Sequence, residues 1–342
     1  MHCLRREDKA LPEINLDELD ERTARVMLAM VAEPRDTTSH LVHDLGGVRT
    51  VHLALGGEIP WFSPSASLEQ WRQDIAPRLD FDGARRVLDQ SETIGAQVLI
   101  PRTREWPLDL RVLGPDQPIA LWVRGSLSHP HPGLSAGVGL VGARACTAYG
   151  AAGAADLASG VVADGHTVVS GGAYGIDAAA HLAALLEGGR TIAVLPGGLD
   201  RPYPAGHHDL LEQVAASGAL VSETAPGAAP TRHRLEQRGR LISALAQTVV
   251  VVEAGVRSGA LTTANLAMEF GRSVGAVPGP VTSPSSAGCH ELIREHGASV
   301  VTGITDIRRE LEKEGFGPAH QVEASERPFS PSWLDAARDR AL

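Results

Sequence analysis

The sequence predicts an α/β protein, a parallel sheet buried on both faces with a small helical domain in front of it. Two observations carry that prediction. Five strand-length apolar runs end at glycine within one stretch: VGLVGAR (138–144), TVVSGGAYGID (167–177), TIAVLPGGLD (191–200), TVVVVEAGVRSGALTTA (248–264) and SVGAVPGP (273–280). These runs are continuous and β-branched rather than alternating, and Ala- and Leu-rich stretches of helical length separate them, as in sheets covered on both sides. In such sheets ligands bind outside the carboxyl ends of the strands. Here those ends carry small residues, helix starts and arginines, which suits a phosphate-bearing ligand.

In chain order, residues 1–15 read as a disordered N-terminus and 16–92 as helical. The segment LVHDLGGVRTVHLAL (41–55) is a short helix, a Gly-Gly turn and a second helix, and it resembles helix–hairpin–helix and SAM-like modules. A lead-in follows, with one strand before WPLDL and another ending at Gly125. Strands are expected near 138–142, 166–170, 191–195, 219–222, 248–252, 273–277 and 299–301, and helices near 147–163, 175–187, 207–217, 236–245, 259–271 and 288–296. The sheet domain spans 95–304. Residues 305–342 read as a short charged helix and a tail too short for a well-packed third domain.

Composition narrows the function. At 342 residues the chain exceeds a usual single domain, and 43% hydrophobic residues supply a core. A net charge of −10 argues against a generic nucleic-acid coat. Nearly all cations are arginine, with Lys9 and Lys313 the lysines, and residues 232–240 (RHRLEQRGR) concentrate Arg232, Arg234, Arg238 and Arg240. That pattern fits a localised anion site. Cys3, Cys146 and Cys289 are dispersed and odd in number, so a reducing compartment and no cysteine-held zinc are expected. The N-terminus lacks an apolar signal core, and no apolar run approaches the ~20 residues of a membrane span. A cytoplasmic protein with no membrane partner, metal or cofactor is expected.

Four motifs carry the candidate chemistry. Gly142 lets backbone approach an anion, and Arg144 adds a forked, permanently charged donor. Ser170, Gly171, Gly172, Tyr174 and Gly175 form a glycine-rich turn before a helix, a backbone-amide nest for phosphate. Asp177 falls in the first turn of that helix as a cap, with His181 at i+4, a spacing read as a structural hydrogen bond. Pro196-Gly197-Gly198-Leu199-Asp200 leads to Arg201 and Tyr203, and Ser258-Gly259 opens a further helix. A nicotinamide site is disfavoured: Gly139 and Gly142 lack the third glycine, and the next strand ends in Ser-Gly rather than an acid. Tyr174 and Tyr203 stand at strand ends, where rings can stack on bases.

Taken in order and spacing, VGAR, VSGGAYGIDAAAH, AVLPGGLDRPYP, SETAPG, RGRLISALA, VVVVEAGVRSGALTTANLA and GRSVGAVPG resemble the DNA-processing protein A family (DprA, also called Smf). The resemblance covers Val98 to Gly303. It implies an extended Rossmann-like domain behind a SAM-like one, binding of single-stranded DNA, loading of the RecA recombinase during natural transformation and recombination, a homodimer, and no enzymatic activity. The chain departs from the family pattern at several points. Gly239 stands for Asn between the paired arginines, Leu235 for Phe, His207 and His290 for Asn, and Tyr174 for the Arg of Ala-Arg-Gly-Ile-Asp. Two alternatives stay open. The Pro-Gly-Gly run also resembles the phosphoribohydrolases, although Leu199-Asp200 replaces their Gly-Thr and no Glu is in register. A small-nucleotide sensor would use the same nest without DNA.

Overall fold

A computed structural model describes residues 15–59, 66–127 and 136–313. The expectations for residues 1–14 and for the tail after Lys313 lie outside them. Helices come first: α1 (Glu21–Ala29), α2 (Thr37–Leu45), α3 (Gly47–Ala54), α4 (Ala66–Ile75) and α5 (Phe81–Thr93). Aspartates start three of them by accepting backbone N–H groups: Asp20 from Arg22 at 2.8 Å, Asp36 from Ser39 at 3.0 Å and Asp80 from Gly83 at 2.8 Å. Between α2 and α3, Gly46 takes φ +84°, and a Cβ on Gly47 would meet Arg25 Cγ at 2.8 Å. Glu21 accepts the N–H groups of Gly47 (2.8 Å) and Val48 (3.2 Å), so the chain's own carboxylate occupies the anion position at the start of α3.

The sheet follows. Among the described residues it has nine strands in the order β1-β2-β6-β5-β4-β3-β7-β8-β9. They are β1 (Ala96–Leu99), β2 (Leu121–Gly125), β3 (Gly137–Gly142), β4 (Thr167–Ser170), β5 (Thr191–Val194), β6 (Ala219–Ser222), β7 (Thr248–Glu253), β8 (Ser273–Ala276) and β9 (Ser299–Val300). Strands β3 to β9 pair in parallel, and β2 pairs antiparallel with both β1 and β6. The helices between strands are α6 (Ala148–Ala163), α7 (Ile176–Leu186), α8 (His208–Ser217), α9 (Arg232–Leu245), α10 (Gly259–Glu269) and α11 (Ala287–Glu295), and α12 (Ile304–Lys313) closes the described chain. The expected α/β architecture is the observed one. No described helix is long and apolar enough to cross a membrane.

The helical segment does not keep its core to itself. Val26, Met27 and Leu28 belong to one apolar cluster with Trp122, Leu195, Leu211 and Leu220 of the sheet layer. Side chains reinforce the seam. Arg234 forks onto Glu33 at 2.8 and 3.0 Å, and Arg25 donates to the Ile119 carbonyl at 3.0 Å. On the opposite face α9, α10 and α11 share a second cluster with β7 and β8, while α6, α7 and α12 share a third on the same face as the first.

Helix α9 begins earlier than the sequence suggested, at 232 rather than 236. Thr231 is the reason, because its hydroxyl accepts the Arg234 N–H at 3.2 Å. Within this helix Arg240 falls on the inward face. Its guanidinium is 2% exposed and grips both oxygens of Glu223 at 2.6 and 2.5 Å. Removing one partner of such a pair strands the other charge in the interior. Arg240→Ala is therefore expected to lower unfolding stability by about 3–5 kcal/mol. A urea titration showing a loss of less than ~1 kcal/mol, the range of exposed pairs, would mean that the pair is solvated.

Candidate functional site

The chain leaves β3 toward β4, β5 and β6, and later leaves β7 toward β8 and β9, on the other side. Adjacent strands with opposite exits make a topological switch point, where a crevice opens beyond the carboxyl ends. A cavity of about 440 Å³ lies there. Its walls are Val141, Gly142 and Arg144 after β3, Ala173 and Asp177 at the start of α7, Arg232, Arg238 and Gly239 on α9, and Ser258, Gly259 and Thr262 at the start of α10. Two glycines bring the walls together. A Cβ on Gly142 would lie 2.6 Å from Ile176 Cγ1, and Gly175, at φ +80°, would place one 2.2 Å from the Ala143 carbonyl. Neither position has room for a side chain.

The nest after β4 is already filled. Asp177 accepts the Ala173 N–H at 3.2 Å. Arg238 closes over it, donating to the Gly171 carbonyl with its other nitrogen 3.7 Å from the Asp177 carboxylate. Burial pushes the Asp177 carboxyl up against the pull of Arg238, and burial likewise pushes Arg238 down. The Ser170 hydroxyl is buried and donates to the Leu140 carbonyl at 2.6 Å. The expectation that this turn offers free amides and a free hydroxyl to a ligand is corrected. Its amide and its hydroxyl serve the chain's own carboxylate and carbonyl, and Gly171 and Gly172 are buried.

Beneath the nest lies His181. Its Nδ1 meets the Thr191 hydroxyl at 2.7 Å, not Asp177 as the i+4 spacing suggested. Thr191 donates to the Val168 carbonyl at 3.1 Å, so Nδ1 carries the ring hydrogen. Nε2 is buried without a partner. Burial, with a further push from the nearby Arg238 guanidinium, lowers His181 to about 3.

A second helix start is closed in the same way. Glu253, at the end of β7, accepts the Thr147 N–H at 2.7 Å and its hydroxyl at 2.9 Å, at the first turn of α6. Gly150 is required there, because a Cβ would sit 2.3 Å from Glu253 Oε2. The start of α10 is different. Ser258 caps it through the Ala260 N–H at 3.3 Å, and Gly259 is exposed on the crevice wall.

The predicted cations separate by geometry. Arg144 is exposed at the crevice and makes no ion pair among the described residues. Arg232 is 93% exposed and pairs with Glu236, one turn away, at 2.9 Å. Arg201 is exposed beside Asp200, at 3.3 Å. Arg234 is held by Glu33 and Arg240 by Glu223, so the expectation that both face the ligand is corrected. One serves the seam with the helices, and the other lies in the interior. Tyr174 and Tyr203 are exposed. The sequence reading passed over Arg257, exposed one residue before the Ser258 cap, and the part of Asp177 as the anion within the nest. The i+4 distance from Ala173 to Asp177 is the signal that was available for the latter.

Comparison with known proteins gives the family and the fold. A family model described as DNA recombination-mediator protein A matches residues 97–312. The DNA processing protein DprA of Mycobacterium tuberculosis (strain H37Rv) is 44% identical over 294 residues, covering 82% of this chain and 72% of the relative. Among solved structures, DprA from Streptococcus pneumoniae matches with a TM-score of 0.66 at 28% identity, covering 85% of this chain and 98% of that one. DNA processing protein A from Helicobacter pylori, studied for its single-stranded DNA binding mode, matches with a TM-score of 0.56 at 27% identity, covering 64% and 96%.

The buried histidine gives the fold a pH dependence. An unfolded histidine takes up a proton near pH 6.5, whereas folded His181 stays neutral to about pH 3. Its contribution is therefore complete above about 6.5 and is lost as pH falls toward 3. His181→Gln removes this titration. The stability difference between parent and variant is expected to shrink by about 1.4 kcal/mol per pH unit below ~6. Unfolding titrations at three pH values read it, and a difference constant with pH would place His181 in contact with water.

Proposed function

Because the chain belongs to the DNA recombination-mediator protein A family, we propose that it holds single-stranded DNA across the switch-point crevice and loads it with a RecA-type recombinase, during DNA uptake and recombination. The observation that carries the reading is Arg144: a permanent cation, exposed and unpaired among the described residues, at the lip of a cavity that also holds the open start of α10. Arg232 extends the charge along the outer side of α9. Single strands need such a strip for phosphates and rings for bases, and Tyr174 and Tyr203 stand beside it. Resident carboxylates occupy the amides at the α7 turn and at the starts of α3 and α6, which favours phosphate on this strip. The action is binding rather than catalysis, in the cytoplasm. The helical part (16–92) and the sheet part (95–304) act as two domains of a homodimer.

The hydrolase alternative lacks support at its own loop. Gly197 and Gly198 are buried, the Gly198 N–H donates to the Ala228 carbonyl at 3.0 Å, and Asp200 is spent on the Gly227 N–H at 2.8 Å.

Two outcomes test the proposal. The chain is expected to bind a single strand more tightly than the same sequence as duplex, since only unpaired bases offer a free face to the exposed rings of Tyr174 and Tyr203. Equal or tighter duplex binding in a mobility-shift titration refutes it. The double variant Arg144→Ala, Arg232→Ala is expected to bind more weakly, with a slope of log K against log salt shallower by about 1.4, or ~0.7 per phosphate released on single strands. A parental slope in the double variant would remove both arginines from the phosphate strip.

A further inference from the structure

The lip of the crevice carries rings as well as charge. Tyr174 stands half exposed between two loops. On one side its neighbour Gly175 is packed on the backbone after β3, where a Cβ would lie 2.5 Å from the Arg144 carbonyl. On the other side its ring meets His207 edge to face, with centroids 4.3 Å apart and planes at 63°. His207 is itself fixed, since its Nδ1 meets the Gly172 carbonyl at 3.0 Å. A carbonyl only accepts, so that nitrogen is the donor. The Tyr174 hydroxyl lies over Gly206, 2.4 Å from where a Cβ would stand. Tyr203 and Arg144 both lie close enough to Arg238 to bear on its charge.

This arrangement has a specific use. Whichever ring supplies the edge, at least one face of Tyr174 stays uncovered by His207. A ring already held in place loses little freedom when a flat partner stacks on it. The sequence alone marked Tyr174 and Tyr203 as rings at strand ends; the structure adds the histidine that fixes one of them and the arginine beside it. We propose that Tyr174, positioned by His207 and Gly206, is the base-stacking face of the site, and that one nucleotide places its base on Tyr174 and its phosphate at Arg144. His207 is a positioning residue that acts through Tyr174. The proposal rests on the single-stranded DNA reading above and deepens it: bases inside a duplex offer no free face to this ring.

The test compares the intact chain's affinity for a ~20-nucleotide thymidine strand with that for an abasic strand of equal length, at one salt concentration. The parent is expected to prefer thymidine about tenfold. Tyr174→Ala should bring thymidine down to the abasic level and leave the salt slope unchanged, because the phosphate contacts remain. Tyr174→Phe should keep the preference, which separates loss of the ring from loss of the fold. His207→Ala and Gly206→Ala should reduce the preference, the first by removing the ring's support and the second by displacing its hydroxyl. Quenching of 2-aminopurine placed in the strand should follow the same order. A parent that binds both strands equally, or a Tyr174→Ala variant that keeps the preference, overturns this proposal while leaving the DNA reading in place. A parent that binds neither strand ends both.

Discussion

The interaction on which the site depends is the closure of an amide nest by the chain's own carboxylate. Asp177 sits where a phosphate would sit in an open nest, and Arg238 neutralises it from the other side. Burying a lone carboxylate is costly, and burying an arginine beside it is tolerable only because each offsets the other. The pair therefore ties the β4–α7 turn to α9 and sets the width of the crevice. Glycine at 142 and 175 is a consequence of the same closure, since the turn is drawn so near β3 that no side chain fits between them.

The same device recurs across the molecule. Glu21 fills the start of α3, Glu253 the start of α6, and Asp200 bonds the Gly227 N–H. Helix starts attract anions through oriented N–H groups. An acidic chain has its own carboxylates to place there. This explains how a protein of net charge −10 can carry a phosphate site. Most of its negative charge lies well beyond a Debye length from any one point on the surface, about 8–10 Å at physiological salt, so the local excess of arginine at the crevice prevails. The site is defined as much by the anion positions that are closed around the crevice as by the hydroxyl-capped start of α10 on its wall.

Much of this was legible in the sequence. The strand positions follow from unbroken β-branched runs, and the switch point follows from the order in which glycine-ended strands alternate with helices. The placement of Arg144 needed only a strand end and the residue after it. What the sequence hid were the side-chain partners. Nothing in RHRLEQRGR distinguishes Arg232, exposed on the outer face beside Glu236, from Arg240, enclosed by Glu223, because the partner that buries Arg240 lies at a distant point of the chain. Periodicity placed the apolar face in the segment after 240 and so started the helix too late. The capping residue, Thr231, held the information that was missed. His181 was read through its i+4 neighbour, yet the bond goes to Thr191 on the next strand, a contact that only the parallel register creates.

Helix α9 joins these themes. Its four arginines end in four different places: Arg232 in solvent, Arg234 on Glu33 behind α1, Arg238 in the nest and Arg240 on Glu223 beyond β6. Three of the four are fixed by acids on separate elements, and those attachments determine where the fourth can point. The helical segment contributes to the crevice through this linkage without lining it. Glu33 holds the first turn of α9 in place, the same turn that presents Arg232, while the cluster shared by Met27, Trp122 and Leu195 fixes the segment that carries Glu33. Packing at the seam and charge at the crevice are thus coupled through one rigid helix. A change at the seam reaches the phosphate strip by moving α9, with no change to any residue that faces the ligand.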